Sequence, residues 1–533
     1  MKANIKNKKL FNRPFLIGIG LAVLIVASSV FFFRYNSIAI GHTSTMILAL
    51  GAISAIIVIV FSVILSNNTL EKKTFSRVYL SMLIISGLLY SAVFFPLSVP
   101  DELYHYESTY YYSNIMLGKN PSNSAIEVRE TDSALIDNSD IKLDKSAYSN
   151  TKQAFNDNSG LSYIERTIDP SRSSLTSNPP QVRLFSAIGL SIGQILNLNG
   201  LLTFYLGRFF NFLIFAILAY FAIKITPVGK LLFVVLTFLP MTLHICSSFS
   251  YDAVIIGLGL LFIALCLNAA YSSSKVSKKT LIPMAISIVL LSPCKLIYSL
   301  LAFLVLIVPN NKFESTNNAK RWKFSIIALS MLSLLLCQSS ILLSFVTATP
   351  VSDEATAQQT ITETSSSPIT YTLIGLLEAP LNTLFVFANT LLEKTDFYLT
   401  SFLGGTLGWF QSELITPWFF ILLFLGILLY ASRQSQSDTI ILSSRTKAFF
   451  FALSGVISIG IALSMLLGHT DISVLYVEGV QGRYFLPFAP LIFLLFRTKN
   501  TRRNESSSPL ILLTLFALNA MNLIYIWAAM ARM

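Results

Sequence analysis

The stretch Ser98-Val-Pro-Asp-Glu-Leu-Tyr-His-Tyr-Glu107 places two adjacent carboxylates and a histidine directly after a long apolar run. Ser98 and Asp101 have the spacing of a capping box, Pro100 suits a first helical turn, and acidic residues suit the positive end of a helix dipole. The same residues also suit proton transfer. On a helix, Asp101 and His105 fall one turn apart on one face, with Glu102 about 100° round. A carboxylate close to low-dielectric surroundings keeps its proton to higher pH and can serve as a general base near neutrality. His105 can orient that carboxylate or contact a phosphate.

Other polar residues stand at the ends of apolar runs. "SSFSYDAV" places Tyr251 and Asp252 there, and "LLSPCKLIYSLL" places Lys295 between two short runs. A lysine at such a position is expensive in lipid and usually functional, although a long side chain can snorkel. "EGVQGRYFLPFAP" supplies Gln481, Arg483 and Tyr484. An arginine fork binds phosphate well, and Gly479 and Gly482 would let backbone approach a ligand. Arg208, inside the run "YLGRFFNF", requires a partner. The four histidines have no metal-type spacing. No cofactor is indicated, although a divalent metal ion is compatible with the acidic pair.

The elements that must position these residues are membrane spans. The chain has 533 residues, of which 54% are hydrophobic and 12% charged, with mean hydropathy +0.67. Soluble domains carry roughly twice that share of charge. The formal charge of +12 does not indicate nucleic acid, because no basic stripe interleaved with aromatics accompanies it. Runs of about 20 apolar residues occur near 15–33, 44–65, 78–97, 201–223, 230–247, 252–270, 324–346, 414–431, 447–468, 484–497 and 509–530, and a shorter pair lies at 280–293 and 296–309. The expectation is an all-α integral membrane protein with about 13 transmembrane helices. The first span, with no small-residue cleavage site after it, reads as uncleaved. Cys246, Cys266, Cys294 and Cys337 lie in or beside apolar runs and read as packing residues rather than disulfide or zinc ligands.

Most of the 38 Lys and Arg fall in segments that are cytoplasmic when the N-terminus is inside, and most of the 26 Asp and Glu fall on the opposite side. The positive-inside rule then gives a multi-pass membrane protein with its N-terminus inside and its acidic motif outside. Two long outer loops result from this topology. Residues 98–200 carry the acidic motif, and residues 347–413 begin with the low-complexity stretch 347–368. Within the second loop, residues 369–394 read as a surface or re-entrant helix. The whole of 1–533 reads as one polytopic domain.

"VPDELYHYE", "NPPQVRLFSAIGL", "YLGRFFNFLIFAILAY", "SSFSYDAV", "SPCKLIYSLL" and "GVQGRYFLPFAP" together, in this order, resemble a bacterial family of predicted polytopic membrane proteins of unknown function. The resemblance covers roughly residues 78–500. More distantly, the order is similar to the GT-C class of membrane glycosyltransferases, such as protein O-mannosyltransferases and aminoarabinose transferases. Two spans precede the one before the acidic pair, where the GT-C pattern usually has a single first span. The GT-C resemblance implies a sugar donor carried on polyprenyl phosphate and a GT-C-like core. Asp101 would be the base, with Glu102 a second carboxylate or metal ligand, and Arg483 and Lys295 would meet the carrier phosphate. Acceptors of this class are cell-envelope glycans, glycolipids or proteins. The alternatives are a transporter or flippase of lipid-linked glycans, or a polysaccharide polymerase or ligase of another fold. A transporter would place charge near the bilayer midplane and show repeat symmetry.

Overall fold

A computed structural model describes residues 13–37, 43–67, 72–137, 145–156, 160–169, 174–339, 370–408, 415–436, 438–498, 502–504 and 507–532. The basic N-terminal segment and the low-complexity stretch 347–368 lie outside them. Three helices open the chain: α1 (Arg13–Ser37), α2 (Thr43–Asn67) and α3 (Lys72–Val93). A mixed segment follows with α4 (Glu102–Met116), β1 (Ala125–Arg129), α5 (Glu130–Asp137), α6 (Lys145–Phe155), β2 (Tyr163–Thr167) and α7 (Leu184–Ile195). The bundle resumes with α8 (Gly200–Ile225), α9 (Lys230–Thr237), α10 (Pro240–Cys246), α11 (Asp252–Tyr271), α12 (Lys278–Leu291) and α13 (Thr316–Cys337). Helices Trp418–Ser432, Ser444–Gly468 and Ser508–Met530 complete it.

Among the described residues, seven helices are long and apolar enough to cross a membrane. They are α1, α2, α3, α8, α11 and the helices Ser444–Gly468 and Ser508–Met530. Several other expected spans are shorter or broken, so a count of thirteen is not established. The run 230–247 divides into α9 and α10 because Pro240 has no N–H to continue the ladder. The carbonyl of Leu236, which an N–H at position 240 would have met, accepts from Thr242 Oγ1 at 2.8 Å, and that of Phe238 accepts from the Asn519 side-chain amide at 2.9 Å, as a broken helix in lipid requires. Residues 296–307 wind as a 3₁₀ helix of 12 residues. At roughly 2.0 Å per residue this reaches about 24 Å, against about 18 Å for an α-helix.

The segment 98–200 is not purely helical. Strands β1 and β2 form an antiparallel hairpin with Ala125 opposite Thr167 and Arg129 opposite Tyr163. This amends the all-α expectation for that segment. The hairpin has its own apolar core with α4, made by Tyr106, Tyr110, Ile126, Val128, Phe204 and Phe249. Polar contacts fix its register on α4. The Asn114 side chain donates to the Glu127 carbonyl at 2.9 Å and accepts the Glu127 N–H at 3.0 Å. Tyr110 Oη donates to Asp132, which also holds the buried Arg129 at 2.6 Å.

In the segment 347–413, residues 373–378 and 380–403 form two consecutive helices, so the helical part extends past residue 394. Leu381, Leu384, Leu391 and Leu392 are exposed along one side of the longer helix. All four cysteines are free; Cys246, Cys266 and Cys294 are buried and Cys337 is exposed.

Candidate functional site

Arg208 builds the platform. It is fully buried in α8, and its guanidinium donates to both Glu102 oxygens at 2.8 and 2.6 Å. The same group donates to the Ser91 carbonyl at 3.0 Å, to that of Phe94, and to that of Phe95 at 2.9 Å. These carbonyls lie at and beyond the C-terminal end of α3, where a helix has unpaired acceptors and favours positive charge. One side chain therefore caps α3 and pins the first residue of α4. Glu102 also accepts the Phe249 N–H at 3.1 Å. Its carboxylate is a structural anchor with every oxygen engaged.

The chain between these helices is tightly folded. Leu97 and Asp101 both have positive φ, 64° and 63°. For leucine this is an outlier; aspartate tolerates the left-handed region better. The capping box expected from Ser98 does not form. Ser98 Oγ donates back to the Phe95 carbonyl at 2.7 Å, and Asp101, at the cap position of α4, makes no side-chain cap. The Asp101 carboxylate instead meets Arg483 Nη2 at 3.2 Å. Backbone strain that turns a carboxylate away from an available cap is a mark of functional sites.

Arg483 bridges two carboxylates, with Asp252 at 3.5 Å on its other side. Asp252 is the first residue of α11, and Arg483 belongs to the 3₁₀ turn Gly482–Phe488. Residues 382 positions apart thus share one buried contact. Burial raises the Asp101 carboxyl above the usual carboxylate range; Arg483 opposes this and does not cancel it.

Lys295 stands at the start of the 296–307 helix. Its ammonium lies 3.7 Å from the centre of the Tyr484 ring and 5.4 Å from that of Tyr251. It is buried and has no hydrogen-bond partner among the described residues. Cation–π contact supplies on the order of 2 kcal/mol when desolvated, and three N–H donors remain unmet. Gln481 precedes this turn as its cap residue. Gly479 and Gly482 do not open a path for a ligand as expected from the sequence. A Cβ on Gly479 would meet the His469 ring at 2.6 Å, and one on Gly482 the Phe402 N at 2.0 Å. Both glycines serve close packing of the chain on itself.

His105 turns away from Asp101. Its Nδ1 lies 2.6 Å from Nη2 of Arg183, which is fully buried just before α7. The sequence reading did not single out Arg183; its only signal was an arginine between Pro-Pro and an apolar helix, in "NPPQVRLF". Asp101, Asp252, Arg483, Lys295, Tyr251 and Tyr484 come together, whereas Glu102 and Arg208 form the platform beneath. The donor set does not suit a resident metal ion: Glu102 is engaged by Arg208, and Asp101 and Asp252 share Arg483. Among the described residues no group of three His, Cys, Asp or Glu is placed to hold one.

A cavity of about 490 Å³ opens on the far side of Arg208, walled by α3, α6 and α8 with Phe95, Tyr205, Phe209 and Trp527. Its lining is mostly apolar, and neither Asp101 nor Arg483 reaches it.

Residues 84–492 match the sequence model of a family described as "Predicted membrane protein (DUF2142)". No curated protein and no solved structure matches the chain significantly.

Proposed function

The chain belongs to the DUF2142 family of predicted membrane proteins, and we propose that it is a GT-C-like glycosyltransferase of the bacterial cytoplasmic membrane. In this reading it moves a sugar from a polyprenyl-phosphate carrier to a cell-envelope acceptor on the outer face. The observation that carries the reading is the Asp101–Arg483–Asp252 bridge beside the Lys295 ammonium, which has no hydrogen-bond partner among the described residues. A carboxylate kept partly protonatable by burial suits a general base, and an arginine fork with a free ammonium suits a phosphate.

The step balances as follows. The acceptor hydroxyl gives its proton to Asp101 as its oxygen bonds to the sugar anomeric carbon. The bond from that carbon to the phosphate oxygen breaks, and its electron pair leaves with the polyprenyl phosphate. Arg483 and Lys295 meet the charge that develops there. Three cations, Arg183, Arg483 and Lys295, stand in the cluster against two carboxylates, Asp101 and Asp252, while Glu102 and Arg208 cancel one another. That excess of positive charge supports an anionic ligand. The apolar cavity one ion pair away supports a substrate with a hydrocarbon chain. A transporter would gather its charges near the midplane; here Asp252, Lys295 and Arg483 all stand at helix starts.

The test is glycan analysis of a deletion strain complemented with wild type or Asp101→Asn. The variant, present at normal level, is expected to leave the lost glycan unrestored. Full restoration would remove Asp101 from the chemistry.

A further inference from the structure

Arg183 is a buried cation with no carboxylate opposite it among its described contacts. Nη1 donates to the Phe249 carbonyl at 3.0 Å, and Nη2 lies 2.6 Å from His105 Nδ1. The rings of Tyr104 and Tyr251 flank the guanidinium at 5.6 and 5.5 Å. A guanidinium has N–H donors and no acceptor. Nδ1 of His105 must therefore be the acceptor and carry no proton. A neutral imidazole has one proton, so in His105 it sits on Nε2.

Three further observations bear on that Nε2–H. His105 is 1% exposed, and Nε2 makes no hydrogen bond to any described residue. That N–H is therefore open to a ligand oxygen or to water. The Tyr251 ring that His105 meets edge-on at 4.9 Å also carries the Lys295 ammonium. The His105 ring and the Lys295 ammonium thus border the same aromatic ring. Around His105 stand Arg183, Arg483 and Lys295, with the Tyr104 and Tyr251 rings, and the backbone N–H of His105 donates to the Asp101 carbonyl. Burial and the three cations all disfavour an imidazolium here. Neither a general base nor a charged partner for Asp101 is available in this arrangement.

We propose that Arg183 is a positioning residue that holds His105 as a neutral Nε2–H donor to a phosphate oxygen of the bound lipid carrier. This rests on the glycosyl-transfer reading for the identity of the ligand, though not for the state of the ring. Acid–base work then falls to Asp101 alone, and His105 contributes a fixed dipole that needs no proton exchange.

The experiment is nitrogen-15 NMR of histidine-labelled full-length protein in lipid nanodiscs, with the His105 signal assigned by its loss in His105→Asn. Wild type is expected to show one neutral Nε2–H ring, unchanged between about pH 5 and 8. Arg183→Lys, which keeps charge and a donor, is expected to preserve it. Arg183→Met should raise the titration midpoint of the ring toward the ordinary histidine value and weaken binding of farnesyl phosphate by roughly tenfold. Farnesyl phosphate should move the Nε2–H signal in wild type and in Asp101→Asn alike. A ring that protonates in that range, an Nδ1–H tautomer, or no movement at saturating farnesyl phosphate would overturn the proposal. If Asp101→Asn restores the glycan while the NMR behaves as expected, the transfer reading fails and the phosphate contact stands.

Discussion

Asp101 holds a left-handed backbone conformation and a buried carboxylate, two features that selection for stability alone would remove. The pH consequence has a definite sign. An unfolded aspartate loses its proton near pH 3.9, about the usual value, whereas the folded one keeps it to higher pH. Between those points the folded state binds more protons, so the stability from this group is present at low pH and is lost as pH rises. Asp101→Asn, which tolerates the same φ, should therefore melt at or above the wild-type temperature at neutral pH while failing to restore the glycan. A fall of many degrees would make Asp101 structural. His105 has the opposite sign. Its folded pKa lies well below the ordinary 6.5, so the unfolded state takes up the proton first and stability falls as pH drops below about 6.5. His105→Asn should flatten that acid-side loss in a melting series. Lys295→Met removes an ammonium that has no hydrogen-bond partner among the described residues; it should add about 1–2 kcal/mol of stability and abolish glycan restoration. A loss of stability instead would mean that the ammonium is held by the fold itself.

The connection between α3 and α4 is where the element scale decides the site. Arg208 closes the end of α3 and fixes Glu102, which sets the path of residues 95–101 and so the aim of Asp101. Removing one partner of a buried pair leaves the other charge uncompensated, at about 3–5 kcal/mol. Glu102→Gln should thus lower the melting temperature strongly and lose activity, in contrast to Asp101→Asn next to it. The double variant Glu102→Gln/Arg208→Met should be less destabilised than the sum of the two singles. At this scale the sequence was partly legible. The long apolar runs marked α1, α2, α3, α8 and α11 because lipid demands length and uniform apolarity. The break at Pro240 was hidden inside one apolar run, since composition is silent about which carbonyl a distant Asn519 will take. The hairpin 125–129 with 163–167 was also missed: its strands are five residues each and lie among Ser, Asn and Asp. Asp101, Asp252, Lys295 and Arg483 could be singled out because charge at the end of a span is costly. Arg183 and the direction of His105 could not, because pairing across 78 residues is set by packing and not by local pattern.

For the whole molecule, the charged cluster lies at one end of the bundle, at the start of α11 and just past the end of α3. Which side of the membrane that end faces determines the chemistry available to it. A cytoplasmic site has nucleotide sugars at hand, whereas an outer one depends on a donor that crosses with the lipid. The basic loop "NNKFESTNNAKRWK" belongs to the opposite end, where Lys312 donates to the Ser272 carbonyl just past the end of α11, and should stay in the cytoplasm. In a cysteine-free background, Asn120→Cys and Asn317→Cys place one exposed thiol at each end. A membrane-impermeant maleimide applied to intact spheroplasts should label Asn120→Cys at once and Asn317→Cys only after permeabilisation. The reverse pattern would put Asp101 inside, and a lipid-borne donor would then no longer be required by the location of the site. Labelling of both without permeabilisation would mean that the loop 310–323 also lies outside, and the arrangement of spans on which the outer-face reading depends would have to change.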